Sequence, residues 1–342
     1  MKFSAYMQEW LYAKEGYYAK FRTIGKEGDF YTAVSSSMFF GGSIAKRFVD
    51  VVEEGFLPVD TTIVEVGAHQ GYMLADIVQF IYTLKPSLLE TLSFIIIEPQ
   101  EENRAAQLAY FEDSFGSLVR LRHVDTFEDL ALESAFIVAN EIFDAFACEL
   151  VKEDEMLIMR EGKPAFVAQD DVTKALCEKV GIKKGEVAVG YESFASQMAK
   201  AVKRFEFVTF DYGDKEQRFD YSIRVYHKHQ SYPFFALTDF VTEKDEKPKD
   251  VTLTSLFMQS DITYDVNFAH LIQAFEENGV VCERYKTQLA LLVEFGITEL
   301  LEMLLEQTDE KTYNAEVNRA KVLIDPTFMG ERFKGVVFRK SA

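Results

Sequence analysis

The chain has 342 residues, of which 48% are hydrophobic and 14% aromatic, so it can bury a substantial core and does not have the composition of a disordered polymer. Its 56 acidic and 37 basic residues give a net charge of -19, which repels phosphate backbones and, with no extended basic patch, excludes general nucleic-acid binding. Three scattered cysteines and five histidines without paired spacing support neither a disulfide framework nor a metal site, and no apolar run reaches the roughly 20 residues of a membrane helix.

Residues 1–55 read as a mostly helical segment, with Phe3, Tyr6, Met7 and Trp10 at helical spacing and a glycine-bearing loop at 25–30. The start of the chain shows neither a charged-then-apolar signal nor an Arg/Ser-rich transit pattern, so a cytoplasmic location is expected. From position 61 the pattern alternates. A β-branched run at 61–66 ends in Gly67, and a helical period at 73–84 stops before Pro86. Further short apolar runs at 92–97, 118–124 and 135–139, with a helix at 101–111, predict a parallel sheet covered on both faces. Residues 151–188 mix charged and β-like pieces and read as an insertion. A helix at 191–204 then leads into a fifth strand at 205–210.

The stretch from 214 to about 263 reads as irregular, although His227 and His229 alternate as if on one strand face. A helix at 267–278 ends at Gly279, a strand follows at 280–284, helices fill 289–320, and a last strand occupies 335–339. The fold expected is therefore α/β and Rossmann-like, with a seven-stranded, mostly parallel sheet. In this reading residues 1–55 are a helical segment and lid, and residues 56–342 form the sheet domain. Insertions at about 151–190, 214–265 and 287–325 would make a substrate arm.

Ligands of such sheets bind at the carboxyl ends of the strands, and acidic or polar groups converge there. Strand one ends in Glu65, Gly67, Ala68, His69 and Gly71; strand two in Glu98; strand three in Asp125 and Thr126; strand four in Asn140 and Glu141, with Asp144 one turn on; and strand five in Asp211-Tyr212-Gly213. The glycines permit a tight turn and close backbone approach. A dinucleotide pyrophosphate would meet repulsion from this rim, whereas the sulfonium and ammonium of S-adenosylmethionine would meet attraction. A GxxxxGK[ST] loop and a GxSxG elbow are both lacking, and Ser35-Ser36-Ser37 reads as a loop or a helix cap rather than a nucleophile.

Six segments then occur in a telling order. They are Gly28-Asp29-Phe30-Tyr31-Thr32-Ala33, Glu65-x-Gly67-x-x-x-Gly71, Asn140-Glu141-x-x-Asp144-Ala145, Asp211-Tyr212-Gly213, Arg224-x-Tyr226-x-x-His229 and Met329-Gly330-x-x-Phe333-Lys334. Together they resemble the MidA-type methyltransferases, a bacterial and mitochondrial family that includes an arginine methyltransferase assisting assembly of a respiratory complex. The resemblance implies a class I methyltransferase fold, S-adenosylmethionine at Gly67–Gly71 and Glu98, and a protein substrate, for which a respiratory-complex subunit is the precedent. The family's usual Gly-Pro-Gly-x-Gly turn is altered here, Ala68 and His69 replacing the proline and the middle glycine.

The expected activity is methyl transfer to a protein arginine by in-line displacement, with no metal. A guanidinium is protonated and a poor nucleophile, so a carboxylate must orient it. Glu141 and Asp144 are the catalytic candidates, with Glu149 a third, and Gly28, Asp29 and Thr32 belong to a segment closing over the cofactor. The alternatives are a methyltransferase for a small molecule or another protein atom, and a non-catalytic assembly protein keeping the fold. A homodimer is left open.

Overall fold

The computed structural model describes residues 1–19, 32–240, 248 and 250–342. The chain divides into two compact units. The first, here the sheet unit, comprises Tyr31–Ile142, Ala195–Tyr212 and Phe275–Ala342; the second comprises Met1–Phe30, Phe143–Phe194 and Gly213–Ala274.

The sheet unit is built on seven strands: β1 (Thr62–Val66), β2 (Ser93–Ile97), β3 (Leu121–Val124), β4 (Leu132–Asn140), β5 (Val202–Asp214), β6 (Val281–Thr287) and β7 (Phe333–Lys340). Their order across the sheet is β3-β2-β1-β4-β5-β7-β6. The first five are mutually parallel, and β7 runs antiparallel to both β5 and β6. The strand β1 is paired on both edges, to β2 and β4, and its side chains are covered on both faces. That is why it reads as an unbroken β-branched run rather than as an alternation.

Three helices, α1 (Phe39–Glu53), α2 (Tyr72–Leu84) and α3 (Glu101–Phe115), contribute to the main core, where Phe40, Phe48, Ile77 and Phe111 join the sheet residues Phe136, Val138 and Phe210. Phe40 meets Phe210 edge-on at 5.1 Å between ring centroids, and Phe48 meets Phe136 at 5.3 Å. Within this unit Arg47 of α1 forks onto Glu206 of β5 at 2.7 and 2.8 Å. Arg339 of β7 donates to the same carboxylate at 2.6 Å and to Glu54 at 2.9 Å, so a fully buried acid is held by two guanidinium groups.

The second unit opens with the helix Phe3–Tyr12, whose Phe3, Tyr6, Met7, Trp10 and Leu11 are buried at the predicted spacing. The region 151–188 folds as an antiparallel sheet of Cys148–Lys152, Glu155–Arg160, Lys163–Ala168 and Lys184–Ala188, with the helix Asp171–Val180. The expectation of irregular chain from 214 to 263 is corrected. Arg224–His227, Gln230–Pro233 and Asp261–Thr263 form a three-stranded antiparallel sheet. These strands are only three or four residues long, too short to show a period. His227 and His229 do not share a strand face. Lys228 and His229 form the hairpin turn, with φ of 49° and 63°, so His229 leaves the strand that His227 ends. Among the described residues no helix is long and apolar enough to cross a membrane.

Other boundaries moved modestly. The helix at 101–111 continues to Phe115 and stops at Gly116, and the helix at 191–204 ends at Ala201, because Val202 and Arg204 already pair with β4. Asp211-Tyr212-Gly213, expected just past the fifth strand, lies inside it, since β7 pairs alongside as far as Tyr212.

Candidate functional site

The carboxyl ends of β1 to β4 lie together in the sheet unit, and the turn from β1 to α2 is the most constrained piece. Gly67, His69 and Gly71 all take left-handed backbone, with φ of 69°, 48° and 80°. Gly67 donates its N–H to the Ile97 carbonyl at 3.2 Å, and Gly71 closes the turn onto the Ala68 carbonyl at 2.7 Å. A Cβ on Gly67 would stand 3.1 Å from Ile142 Cγ2, so a side chain there is both strained and crowded. Ala68 is buried, and His69 accepts a conformation that glycine would adopt freely and most other residues would resist.

Glu65 lies buried beneath this turn, and its Oε2 accepts from the Leu74 N–H in the first turn of α2 at 3.2 Å. Burial pushes its pKa up to about 8 against the opposing Leu74 hydrogen bond. Burial also lifts the neighbouring Asp76 to about 7. The rim therefore carries less negative charge at neutral pH than its formal count of acids suggests.

At the end of β2, Glu98 is buried and accepts from the Gln100 N–H at 2.8 Å and the Asn103 amide at 3.1 Å. Burial raises its pKa, and these hydrogen bonds counter the rise. Arg104 of α3 donates to the Glu98 carbonyl and pairs with Asp125 at the end of β3, tying the two strand ends together. Asp125 itself is largely exposed. Thr126 is committed as a cap, its hydroxyl oxygen accepting from the Glu128 N–H at 3.2 Å.

At the end of β4 the chain turns sharply. Glu141 has φ of 52°, an unusual conformation for a glutamate, and its N–H donates to the Phe210 carbonyl of β5 at 2.9 Å. Its Oε1 accepts from the Asn140 amide at 2.8 Å and from the Ala33 N–H at 3.3 Å. Thr32 caps the short helix that begins at Ala33, in a reciprocal pair with Ser35, as expected for the serine run. The structure thus brings Thr32, Glu65, Gly67, Ala68, His69, Gly71, Glu98, Asp125, Thr126, Asn140 and Glu141 into one unit. Gly28 and Asp29 lie outside the described residues.

Asp144 belongs to the second unit, where it is buried at 6% exposure and its carbonyl accepts from the Tyr264 N–H at 3.2 Å. In the same unit the Tyr12 hydroxyl donates to the Ala145 carbonyl at 3.1 Å. The Tyr18 hydroxyl reaches both oxygens of the buried Asp261 at 3.1 Å, and the rings of Tyr12 and Tyr18 stack at 5.6 Å. Glu149, the third acidic candidate, is taken up by Ser4 of the first helix.

A cationic cofactor fits the rim of the sheet unit. Asn140 Oδ1 is buried without a hydrogen-bond partner, an acceptor suited to an ammonium donor. Glu98 supplies a further acceptor, and Gly67 leaves backbone exposed where a side chain would crowd. Among the described residues no group of three or more His, Cys, Asp or Glu is placed to hold a metal ion. Sequence reasoning missed Arg104, Gln107 and His123. Gln107 donates to the His69 carbonyl at 2.8 Å and its Oε1 pairs with His123 Nε2 at 2.7 Å. Only the helical phase of Gln107, one turn after Asn103, hinted that it faces the sheet.

Comparison with known proteins is consistent with this geometry. A family model described as S-adenosyl-L-methionine-dependent methyltransferase matches residues 43–286. The mitochondrial protein arginine methyltransferase NDUFAF7 of Danio rerio is 23% identical over 353 residues, spanning 93% of this chain and 78% of that protein. Its counterpart in Rattus norvegicus is 22% identical over 372 residues, spanning 96% and 78%. Among solved structures, a COG1565 superfamily protein from Burkholderia thailandensis bound to S-adenosyl-homocysteine superposes with a TM-score of 0.79 at 22% identity, covering 99% of this chain and 88% of that one. That likeness concerns the fold.

Proposed function

The chain belongs to a family of S-adenosyl-L-methionine-dependent methyltransferases, and from that premise we propose that it methylates the guanidinium of an arginine in a protein substrate. When bound, S-adenosylmethionine supplies an electrophilic methyl group on its sulfonium. The chain's own residues then have two tasks, to hold that cofactor and to make a protonated guanidinium a competent nucleophile. For the first, the reading assigns the turn Gly67–Gly71, with Glu65 beneath it, and the acceptors of Glu98 and Asn140. Asp125 and Thr126 at the end of β3 border the same rim, and Thr32 heads the segment that touches Glu141.

For the second task, the observation that carries the reading is Glu141. Its backbone is held in a left-handed conformation, and its Oε1 is anchored by the Ala33 N–H and the Asn140 amide. An anchored carboxylate can accept guanidinium N–H bonds, localise the positive charge on the remote nitrogens and leave the attacking nitrogen richer in electrons. Methyl transfer would exchange the sulfonium S–CH3 bond for an N–CH3 bond, with neutral S-adenosyl-homocysteine as the leaving group, and the guanidinium would shed a proton to a carboxylate or water. Asp144 is the second acid in this reading. Within its own unit, Tyr12 stacks on Tyr18, whose hydroxyl holds the buried Asp261. The arginine-methyltransferase relatives support the same substrate class.

The test uses labelled S-adenosylmethionine, arginine-rich protein acceptors and amino-acid analysis of the product. Methylarginine formed by the wild-type chain and reduced about a hundredfold or more in Glu141→Gln, with S-adenosyl-homocysteine affinity retained, is the expected result. Label on another atom would overturn the arginine assignment. Loss of cofactor binding with no separate loss of chemistry would overturn the role given to Glu141.

A further inference from the structure

The turn after β1 holds a residue in a conformation that costs it energy. His69 sits at φ 48°, where an L side chain is disfavoured, between two glycines that adopt such angles freely. The Gly71 N–H closes the turn on the Ala68 carbonyl, and a contact from outside the turn adds to it. The contacts around the His69 carbonyl show what does so.

Gln107, from the middle of α3, is fully buried. Its amide N–H donates to the His69 carbonyl at 2.8 Å, while its amide oxygen pairs with His123 Nε2 of β3 at 2.7 Å. Both ends of one rigid amide are therefore engaged, and the pairing fixes which way the amide points. The same side chain also packs beneath the end of the turn, since a Cβ on Gly71 would meet Gln107 Cγ at 3.5 Å. Burial first, and then the Arg104 charge, lower the His123 pKa to about 4, so above that pH the ring is neutral and its Nε2 can keep a proton for Gln107.

We propose that Gln107, oriented by His123, is a positioning residue that clamps the His69 carbonyl and so holds the glycine turn in its cofactor-binding shape. This rests on the reading that the turn holds the cofactor. The clamp does the work that backbone freedom would do if position 69 were glycine, and it links the turn to β3 through one side chain. Gln107 acts on the turn and not on the reacting atoms.

A double-mutant cycle tests it, with affinity for S-adenosyl-homocysteine read by calorimetry. Gln107→Leu removes both hydrogen bonds, and with them the support that the same amide gives the Glu98 carboxylate, at similar volume, and binding should weaken by about tenfold. In the His69→Gly background the same substitution should weaken binding less than about threefold, because glycine takes the left-handed angle without the clamp. A merely structural role for Gln107 in packing α3 would give equal losses in both backgrounds, and that result would overturn the proposal. Undiminished binding by Gln107→Leu alone would also overturn it. Should Gln107→Leu fail to fold, His123→Leu frees the amide without touching α3, and its smaller loss should likewise shrink in the His69→Gly background. A folded wild-type chain that does not bind S-adenosyl-homocysteine would defeat the reading of the turn, and the clamp with it. A wild-type chain that binds, with additive losses, would defeat the clamp alone.

Discussion

The carboxyl group of Glu65 is buried under the glycine turn with a single backbone N–H for company. Its folded pKa of about 8 lies above the ordinary value of 4.5, so between those values the folded chain binds a proton that the unfolded chain has lost. The stabilising contribution is complete below the lower value and is lost as pH rises through the upper one. Asp76, raised from 3.8 to about 7, adds to the same slope. Unfolding free energies from urea titrations between pH 5 and pH 9 should therefore fall for the wild-type chain, by a difference on the order of a few kcal/mol. They should fall distinctly less for Glu65→Gln; an identical pH profile for the two proteins would count against a buried, protonated Glu65. A cationic ligand favours the ionised carboxylate, so S-adenosylmethionine binding at pH 7 should release protons, and more of them than its neutral thioether product S-adenosyl-homocysteine releases. Calorimetry in buffers of different ionisation enthalpy would reveal them as a buffer-dependent heat.

Legibility of the sequence differed from element to element. The strands β1 and β2 were plain because they are interior strands whose two faces are both covered, leaving continuous runs such as Phe94-Ile95-Ile96-Ile97 between turn signals. The ends of those strands were equally plain, and Gly67, Glu98 and Glu141 lie at strand ends as expected. The strands around Arg224–His227 were hidden because each is short, and the third, Asp261–Thr263, lies far along the chain from the hairpin it joins. Gln107 and His123 escaped for the same reason at the scale of a side chain. Their value lies in contacts across 38 and 16 residues, with no local pattern to announce them. The acid that joins α1, β5 and β7 was also invisible, since Glu206 reads simply as a charge in an apolar strand. Removing it with Glu206→Ala leaves Arg47 buried without its main partner. Equilibrium denaturation should show a loss of about 3–5 kcal/mol. A loss under about 1 kcal/mol would mean that the ion cluster tolerates solvent and does not pin the three elements.

At the scale of the whole molecule, the strand order, the turn after β1 and the family match agree on a methyltransferase that uses S-adenosyl-L-methionine. The net charge of -19 adds an expectation about its acceptor. A basic protein substrate should be drawn in by long-range attraction, so kcat/KM for arginine-rich acceptors should fall several-fold as salt rises from about 0.02 to 0.3 M. A rate indifferent to salt would point to an uncharged acceptor, and a rate that rises with salt to an acidic one. The most direct measurement is a calorimetric titration of S-adenosyl-homocysteine into the wild-type chain and into Gly67→Arg, whose new side chain would occupy the turn. One saturable site in the wild type, absent from a folded Gly67→Arg, is the predicted result. No binding by the wild type, or equal binding by both, would contradict the placement of the cofactor at the end of β1.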